Sequence, residues 1–303
     1  MLQYSLYNLY SEKSLNYIIF KIELKILNIK YLTTIVYKMK SDYVAATIIP
    51  DSDSESEKEE IILTPKKIRK PRIIQQPLQK FYKEDANIFE IGVDEAGRGP
   101  LFGRVYTAGV ILPKDDTFDH SRVKDSKKFH SKQKIEEVAK YIKDNAIAWY
   151  VSFEDEKVID EINILQATQQ AMHTSILETR KQIITKMKEI NNTNYKVELL
   201  IDGNYFNPIT ILNKVTSKIE TIPYTTIEGG DNKYTAIAAA SILAKVERDK
   251  YIDELCIENP MLAEYYNINS NKGYGVKKHL DGIKEHGITI WHRRSFGICK
   301  NYV

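Results

Sequence analysis

The sequence predicts an α/β domain in which helices cover a sheet, and three observations carry this prediction. Short apolar segments of strand type alternate with longer segments whose apolar residues recur at helical spacing, a pattern typical of α/β folds. The 303 residues are 43% hydrophobic and 28% charged, an ordinary globular composition that excludes fibrous or wholly disordered chains. No internal repeat is visible, so a solenoid is not predicted.

The first predicted elements follow residue 85. Phe89–Val93 alternates apolar residues and runs into a glycine-rich turn, which predicts a strand. Val105–Leu112 predicts a second strand, closed by Pro113. Residues 131–145 predict a helix with Ser131 as its N-cap, because apolar residues recur there at helical spacing.

The pattern then alternates again. Residues 147–153 predict a strand, 162–190 a long helix, and 197–201 (VELLI) a short buried strand. Residues 233–251 predict a helix whose middle, AIAAASILAK, is rich in small residues and suited to close packing. The remaining residues, about 252–303, are expected to form a small helical cap.

The first 85 residues show no such pattern. Residues 1–38 contain no run of about 18 apolar residues, no small-residue cleavage site and no arginine, which argues against a membrane span, a secretory signal and a mitochondrial leader. They are either a leader without its own fold or a translated upstream sequence preceding a start at Met39. Residues 39–85 are expected to be a disordered charged linker, because prolines and an acidic run, DSDSESEKEE at 51–60, oppose a packed core.

The formal net charge of +3 hides local differences. Residues 66–72 (KKIRKPR) hold five basic residues, which indicates a nuclear address, a nucleic-acid-binding arm or simply a solvated tail. Residues 122–134 hold six basic residues and one acid, and residues 271–303 hold seven basic residues and two acids. These two patches suit a phosphate backbone bound on either side of a site, although a solvated helix face is the alternative. Within them, the phosphate contacts that the charge pattern predicts are Lys127, Arg293 and Arg294.

The cysteines and histidines predict little chemistry. Two cysteines, Cys256 and Cys299, cannot build a disulfide scaffold, so we expect both to be thiols in the core or at the surface. The protein is therefore expected in the cytoplasm or another reducing intracellular compartment. His279 and His286 come closest to a metal-ligand spacing, but the pattern does not predict zinc.

Four acidic residues lie where predicted strands end or a helix begins. Asp94 and Glu95 follow the first strand, Asp202 ends VELLID, and Asp231 follows two glycines directly before the alanine-rich helix. Ligands of open α/β sheets gather at strand ends, so these residues predict a site. Taken singly, each has a structural explanation as a helix N-cap, a turn former or a solvated charge.

Carboxylates without cysteine or histidine companions are ligands of Mg²⁺ or Mn²⁺ rather than of Zn²⁺. Converging carboxylates repel one another, and a divalent cation relieves that repulsion. Two such cations about 4 Å apart can hold both the attacking and the leaving oxygen of a phosphodiester. The acids together therefore favour metal-dependent phosphodiester hydrolysis.

The chain also resembles a known family in a series of ordered motifs. They are GVDEAGRGPLFG (92–103), KDSKK (124–128), DEINILQAT (160–168), LLIDGN (199–204), GGD (229–231), AAASILAKVERD (238–249), NKGYG (271–275) and HRRSFG (292–297). On these motifs the sequence is similar to the type 2 ribonuclease H family, specifically bacterial-type ribonuclease HII, from about residue 89 to 300.

This resemblance implies a ribonuclease H-like mixed sheet flanked by helices, within a catalytic domain at residues 86–303. It implies that Asp94, Glu95, Asp202 and Asp231 bind the catalytic Mg²⁺ or Mn²⁺. It further implies that Gly97, Arg98 and Gly99 recognise a ribonucleotide 2′-OH and adjoining phosphates, and that Tyr274 stacks under the sugar at an RNA–DNA junction.

The implied activity is that of an endoribonuclease that cuts the RNA strand of RNA–DNA hybrids. It would also cut 5′ to single ribonucleotides in duplex DNA, leaving 3′-OH and 5′-phosphate ends, in ribonucleotide excision repair or primer removal. A monomer is implied; a sliding-clamp-type partner is not identified by the sequence.

Two departures from the family pattern keep alternatives open. The interval between Asp202 and Asp231 is longer than usual, with extra residues around 207–221, and the first ninety residues match nothing in ribonuclease HII. Ribonuclease HIII carries an N-terminal extension but lacks the GRG turn, so HII is favoured over a HIII-like hybrid nuclease. Another nuclease of the same fold, or a catalytically silent nucleic-acid-binding protein, are the remaining alternatives.

Overall fold

A computed structural model describes residues 77–213 and 217–302 of the chain. The predicted leader, the start at Met39, the charged runs at 51–60 and 66–72, and the linker up to residue 76 lie outside the described residues. Within the described residues, no helix combines the length and apolar character that crossing a bilayer requires.

A five-stranded mixed sheet forms the centre of the fold. The strands of the described residues are β1 (Ile88–Ala96), β2 (Val105–Ile111), β3 (Ala148–Glu154), β4 (Lys196–Asp202), β5 (Thr210–Asn213), β6 (Lys218–Thr221) and β7 (Tyr224–Ile227). The sheet order is β3-β2-β1-β4-β7. β1 pairs antiparallel with β2 and parallel with β4, and β4 pairs parallel with β7. The carboxyl ends of β1, β4 and β7 therefore meet at one edge of the sheet.

Helices cover both faces of this sheet, as the sequence predicts. They are α1 (Lys132–Asn145), α2 (Glu156–Glu189), α3 (Thr235–Glu258), α4 (Met261–Tyr266), α5 (Ile268–Asn271) and α6 (Lys277–His286). One apolar core joins α1 and α3 to β2, and a second joins α2 to β1 and β4. The alanines of α3 are explained by close packing, because a Cβ on Gly92 of β1 would lie 2.2 Å from the backbone of Ala236.

Three helix boundaries differ from the sequence pattern. Ser131 precedes α1 in an extended conformation, but its side chain makes no capping hydrogen bond. α2 begins six residues before the predicted Ile162 and contains a break at Asn163, where φ is 68°. The Asn163 carboxamide accepts hydrogen bonds from Leu165 N and Gln166 N, so it caps the longer second part of the helix. α3 continues past the predicted end to Glu258.

The described end of the predicted linker, residues 77–85, contacts the domain. Gln79 N donates to Lys233 O, and Thr235 N donates back to Gln79 O. The ring of Phe81 packs edge-on against His120. Backbone pairing and an aromatic contact, which charge and proline content do not reveal, hold this stretch in place.

The additional residues between Asp202 and Asp231 form a small antiparallel hairpin. β5 and β6 pair with each other and not with the main sheet. β7 follows and returns to the sheet beside β4. The insertion therefore leaves the register of the strand before Asp231 intact.

Candidate active site

The topology brings the four predicted acids to the carboxyl edge of the sheet. β1 and β4 run parallel with Val93 opposite Ile201, so the residues that follow, Asp94 and Asp202, emerge side by side. Asp202 also pairs with Ile227 at the end of β7. Asp231 lies in the short 3₁₀ turn Gly230–Asn232 just after that strand.

Backbone N–H groups and two basic side chains pair with these carboxylates. Asp94 Oδ1 accepts from Glu95 N at 2.7 Å, and Asp202 Oδ1 accepts from Gly230 N at 2.6 Å. Lys127 Nζ lies 3.6 Å from Asp231 Oδ2, and Arg98 Nη1 lies 3.2 Å from Glu95 Oε1. The last two pairs join acids to residues that the sequence predicts to bind nucleic acid.

Burial, together with repulsion between neighbouring carboxylates, raises the pKa values of three of these acids. Burial raises the pKa of Asp94 well above its usual value, and the charges of Glu95 and Asp202 raise it further. Burial also raises the pKa of Asp202 and of Glu95, although Arg98 opposes the shift at Glu95. Buried carboxylates that repel one another attract a cation.

The donor set fits a hard divalent cation in its chemistry, because every group offered is a carboxylate oxygen. Across residues 77–213 and 217–302, however, no three acidic, imidazole or thiol side chains stand close enough to enclose a metal ion unaided. The carboxylates are instead directed to N–H groups and to Lys127 and Arg98. The carboxylates therefore have the chemistry of a metal site but are paired with groups of the protein in this structure.

A glycine-rich loop and an exposed tyrosine lie beside the acids. Gly97 has φ of +93°, a conformation that favours glycine, and it ends β1. Arg98 and Gly99 are exposed, and Tyr274 is 50% exposed between two glycines. A Cβ placed on Gly99 would lie 3.6 Å from Tyr274 Cε1. The loop and the ring therefore form one continuous surface.

The three predicted phosphate contacts occupy different environments. The Lys127 side chain is largely exposed and projects toward Asp231, and Arg294 is exposed. Arg293 is fully buried, so the structure does not support a phosphate contact by this residue. Its guanidinium donates to backbone carbonyls of the glycine-rich loop instead.

Sequence reasoning missed several buried polar residues behind this surface. His279 contacts His292 rather than the predicted companion His286, which is exposed and stacks on Tyr265. Arg248 is buried and donates to Lys272 O at 2.8 Å. Arg248 lies in the VERD-containing motif and His292 in HRRSFG, which was the available signal for these two, whereas His279 lies in none of the motifs. Cys256 and Cys299 are both buried thiols.

Comparison with solved structures identifies the fold. The crystal structure of ribonuclease H2 from Pyrococcus horikoshii OT3 superposes with a TM-score of 0.51 at 21% identity, covering 70% of this chain and 96% of that one. The described fold is therefore ribonuclease H-like, with a mixed sheet flanked by helices.

Sequence comparison identifies the family. The family model for ribonuclease HII matches residues 91–299. Ribonuclease HII of Bacteroides thetaiotaomicron is 44% identical over 214 residues, which cover 70% of this chain and 91% of that protein. Ribonuclease HII of Oceanobacillus iheyensis is 41% identical over 218 residues, covering 72% of each chain. The chain belongs to the ribonuclease HII family and is a hydrolytic nuclease.

Proposed function

We propose that this protein hydrolyses the RNA strand of RNA–DNA hybrids and cuts 5′ to single ribonucleotides embedded in duplex DNA. The products would carry 3′-OH and 5′-phosphate ends, as ribonucleotide excision repair or primer removal requires. The observation that carries the proposal is the surface on which Gly99 meets Tyr274 directly beside the acids. A ribonucleotide's 2′-OH and the following deoxyribose would contact one continuous surface there.

The acids Asp94, Glu95, Asp202 and Asp231 would hold Mg²⁺ or Mn²⁺. When bound, the metal supplies activation of water and stabilisation of the leaving 3′-oxygen. Asp94 and Asp202 are kept side by side by the parallel pairing of their strands, so the protein orients ligands on two rigid elements. Lys127 adds a positive charge next to Asp231, suited to a phosphate that approaches the acids.

The wider setting completes the proposal. Residues 86–303 would act as the catalytic unit and as a monomer on nucleic acid. Two buried thiols without a disulfide support a reducing compartment. A HIII-like preference for long hybrids is the second candidate, and the Gly97–Gly99 turn beside Tyr274 favours the first.

Cleavage of two substrates tests this function. One is a DNA duplex containing a single ribonucleotide, and the other is a long RNA–DNA hybrid, each with Mg²⁺ or Mn²⁺. We expect the wild type to cut both and Asp94→Asn to lose activity by a factor of about 10³ or more. The control Asp144→Asn removes an exposed acid that pairs with Lys140 in α1 and should retain full activity.

The ends of the products check the chemistry, since a 3′-OH is extended by a polymerase and a 5′-phosphate is ligated. Wild-type protein inactive with both metals, or Asp94→Asn as active as wild type, would overturn the assignment. Cleavage confined to the long hybrid would favour the second candidate.

A further inference from the structure

The Gly97–Gly99 turn and Tyr274 lie on separate segments of the chain, yet both are attached to one buried dipeptide, His292–Arg293. Phe102 and His292 form a β-bridge, Arg293 N donates to Leu101 O at 2.8 Å, and Leu101 N donates to Gly273 O at 2.9 Å. The turn and Tyr274 together form what we call the recognition surface. The dipeptide therefore lies directly beneath both halves of this surface.

Arg293 binds the loop side of this surface through its guanidinium. Its Nη2 donates to Gly97 O at 2.6 Å, and its Nη1 donates to Arg98 O at 3.0 Å and Pro100 O at 2.9 Å. Its Nε donates to Gly103 O at 2.8 Å. One planar side chain thus satisfies four backbone carbonyls of a single loop, which fixes the direction of each peptide group.

The direction of these peptide groups matters for ligand binding. In a trans peptide the C=O of one residue and the N–H of the next point in opposite directions. Because the carbonyls of Gly97 and Arg98 point inward to Arg293, the N–H groups of Arg98 and Gly99 point outward. Two outward donors in succession suit a hydroxyl or phosphate oxygen.

His292 is connected to Tyr274, on the other half of the surface, by hydrogen bonds through His279. Thr289 N can only donate, so His292 Nδ1 accepts at 2.9 Å and the proton of the neutral ring lies on Nε2. His292 Nε2 then donates to His279 Nε2 at 3.1 Å. His279 Nδ1 carries the remaining proton and donates to Tyr274 O at 3.0 Å. Both tautomers follow from the two ends of this chain of bonds.

Burial keeps the hydrogen-bond chain in one state. His292 and His279 are both buried, and burial lowers the pKa of His292 to about 3 and lowers that of His279. Both rings are therefore neutral at the pH at which nucleases work. The network is a rigid support rather than a proton-operated switch.

We propose that His292 and Arg293 are positioning residues that hold the Gly97–Gly99 turn and Tyr274 at a fixed separation, and that this separation sets the preference for a single ribonucleotide. The inference rests on the proposed function. It assigns His292 and Arg293 a role behind the recognition surface instead of on the phosphate backbone.

Two variants of His279 place an amide nitrogen at different positions. In His279→Asn the amide nitrogen takes the place of Nδ1 and keeps the donor to Tyr274 O, whereas in His279→Gln it takes the place of Nε2 and loses that donor. The readout is the ratio of kcat/KM for the single-ribonucleotide duplex to kcat/KM for the long hybrid. We expect His279→Gln to lower the ratio about tenfold, and His279→Asn, which keeps the donor to Tyr274 O but loses the acceptor of His292 Nε2, to lower it about threefold.

A double variant shows whether His279 acts through the tyrosine. In the Tyr274→Ala background, adding His279→Gln should not change the ratio further, because the aromatic ring that the hydrogen-bond chain positions is gone. His286→Asn replaces an exposed histidine at the other end of α6 and serves as the control for a histidine change as such.

The Arg293 half is tested with Arg293→Lys, which keeps the charge but cannot reach four carbonyls. We expect its ratio to fall about tenfold or more, with faster amide hydrogen exchange in residues 97–103. In His279→Gln, exchange should rise in residues 272–276 instead. A ratio equal to wild type in both His279→Gln and Arg293→Lys overturns the inference, as does equal loss on both substrates.

The two hypotheses fail differently. If the wild type prefers single ribonucleotides but the variants keep the wild-type ratio and the wild-type exchange rates, the positioning role is wrong and the proposed function stands. If the wild type cuts no single-ribonucleotide duplex, the proposed function and the specificity role fall together, whatever the exchange rates show.

Discussion

Asp94 and Arg293 are both buried charged side chains close to the same loop, but their surroundings are opposite. Asp94 lies among like charges, and burial together with Glu95 and Asp202 raises its pKa. Arg293 lies among backbone carbonyls, four of which accept its N–H groups. Burial opposes the charge of both groups, and together with Arg248 it lowers the pKa of Arg293 to about 9. The difference is that carbonyls satisfy almost all of the arginine N–H groups.

The difference indicates how the fold divides its tasks. A cluster of repelling carboxylates reduces stability in exchange for cation affinity, as functional sites often do. A buried, fully bonded arginine fixes geometry, and its removal leaves several carbonyls without donors. Substitutions in the two regions should therefore change stability in opposite directions.

The largest effect is expected from Arg293→Met. The substitution keeps much of the side-chain volume but removes the donors to Gly97, Arg98, Pro100 and Gly103. We expect the free energy of unfolding to fall by about 3 kcal/mol, because unpaired buried carbonyls are costly. Denaturant unfolding in the absence of metal measures it.

The neighbouring Arg294 is the matched control, because its side chain is exposed. Arg294→Met should change the free energy of unfolding by less than about 0.5 kcal/mol. Equal losses in the two variants would mean that the carbonyl contacts of Arg293 contribute nothing particular.

The second effect is loss of stability in acid, caused by His292. Its pKa is lowered to about 3 in the folded protein, whereas an unfolded histidine has a pKa of about 6.5. Between these values the unfolded state binds a proton that the folded state does not, so stability is retained above pH 6.5 and falls as the pH falls. One histidine contributes about 1.4 kcal/mol per pH unit, or about 2 kcal/mol between pH 6.5 and 5.

His279, whose pKa is also lowered, adds to the loss in the same direction. Unfolding free energies of wild type and His292→Gln, measured from pH 7 to 5, separate the contribution of His292. The unfolding free energy of the variant should fall less steeply with decreasing pH, by an amount that corresponds to about one bound proton. Parallel curves for the two proteins would contradict the prediction.

These support residues also show where sequence reasoning ends. Asp94 and Asp202 were predictable because each directly follows an apolar strand, and parallel strands bring such ends together. Arg293 was predicted on the surface because a pair of adjacent arginines resembles a phosphate contact, and nothing local shows that one of them is buried. The contacts of Arg293 join residues nearly two hundred positions apart, which only the tertiary structure supplies.

The same limit applies to the histidines and to the insertion. In the sequence, His279 and His286 come closest to a metal-ligand spacing, one on either side of Gly282. The actual partner of His279 lies thirteen residues away across a turn. The lengthened interval before Asp231 raised a question of strand register, and the pairing of β5 with β6 answers it. The α/β order, by contrast, follows from local periodicity as far as β4, whereas β5, β6 and β7 are short strands that the sequence pattern does not predict.

The third effect is a gain in stability at the acids. Asp94→Asn removes a carboxylate whose pKa is raised in the folded protein. For such a group, stability is full below the unfolded pKa and is lost as the pH rises toward the folded pKa, so the amide should be favoured at pH 7. We expect the variant to be about 1 kcal/mol more stable than wild type in the presence of a chelator.

Asp125→Asn is the contrasting control. Asp125 is also buried, but it accepts a hydrogen bond from Lys127 N at 2.9 Å and lies 3.6 Å from Lys128 Nζ. A partnered acid should lose stability or stay unchanged on conversion to an amide. A loss of stability in Asp94→Asn as well would show that the acids are not held against their own repulsion.

The smallest effect is expected in the β5–β6 hairpin. Ile219 and Leu212 face each other across the hairpin and are 76% and 62% exposed, whereas Ile222, directly after β6, is buried in the core beneath the sheet. Ile219→Thr should therefore change the free energy of unfolding by less than about 0.5 kcal/mol and leave cleavage unchanged. Ile222→Thr should cost about 2 kcal/mol. If the two substitutions lowered the free energy of unfolding equally, the hairpin would be packed along its whole length. The position of Asp231 would then depend on the packing of the insertion that precedes it.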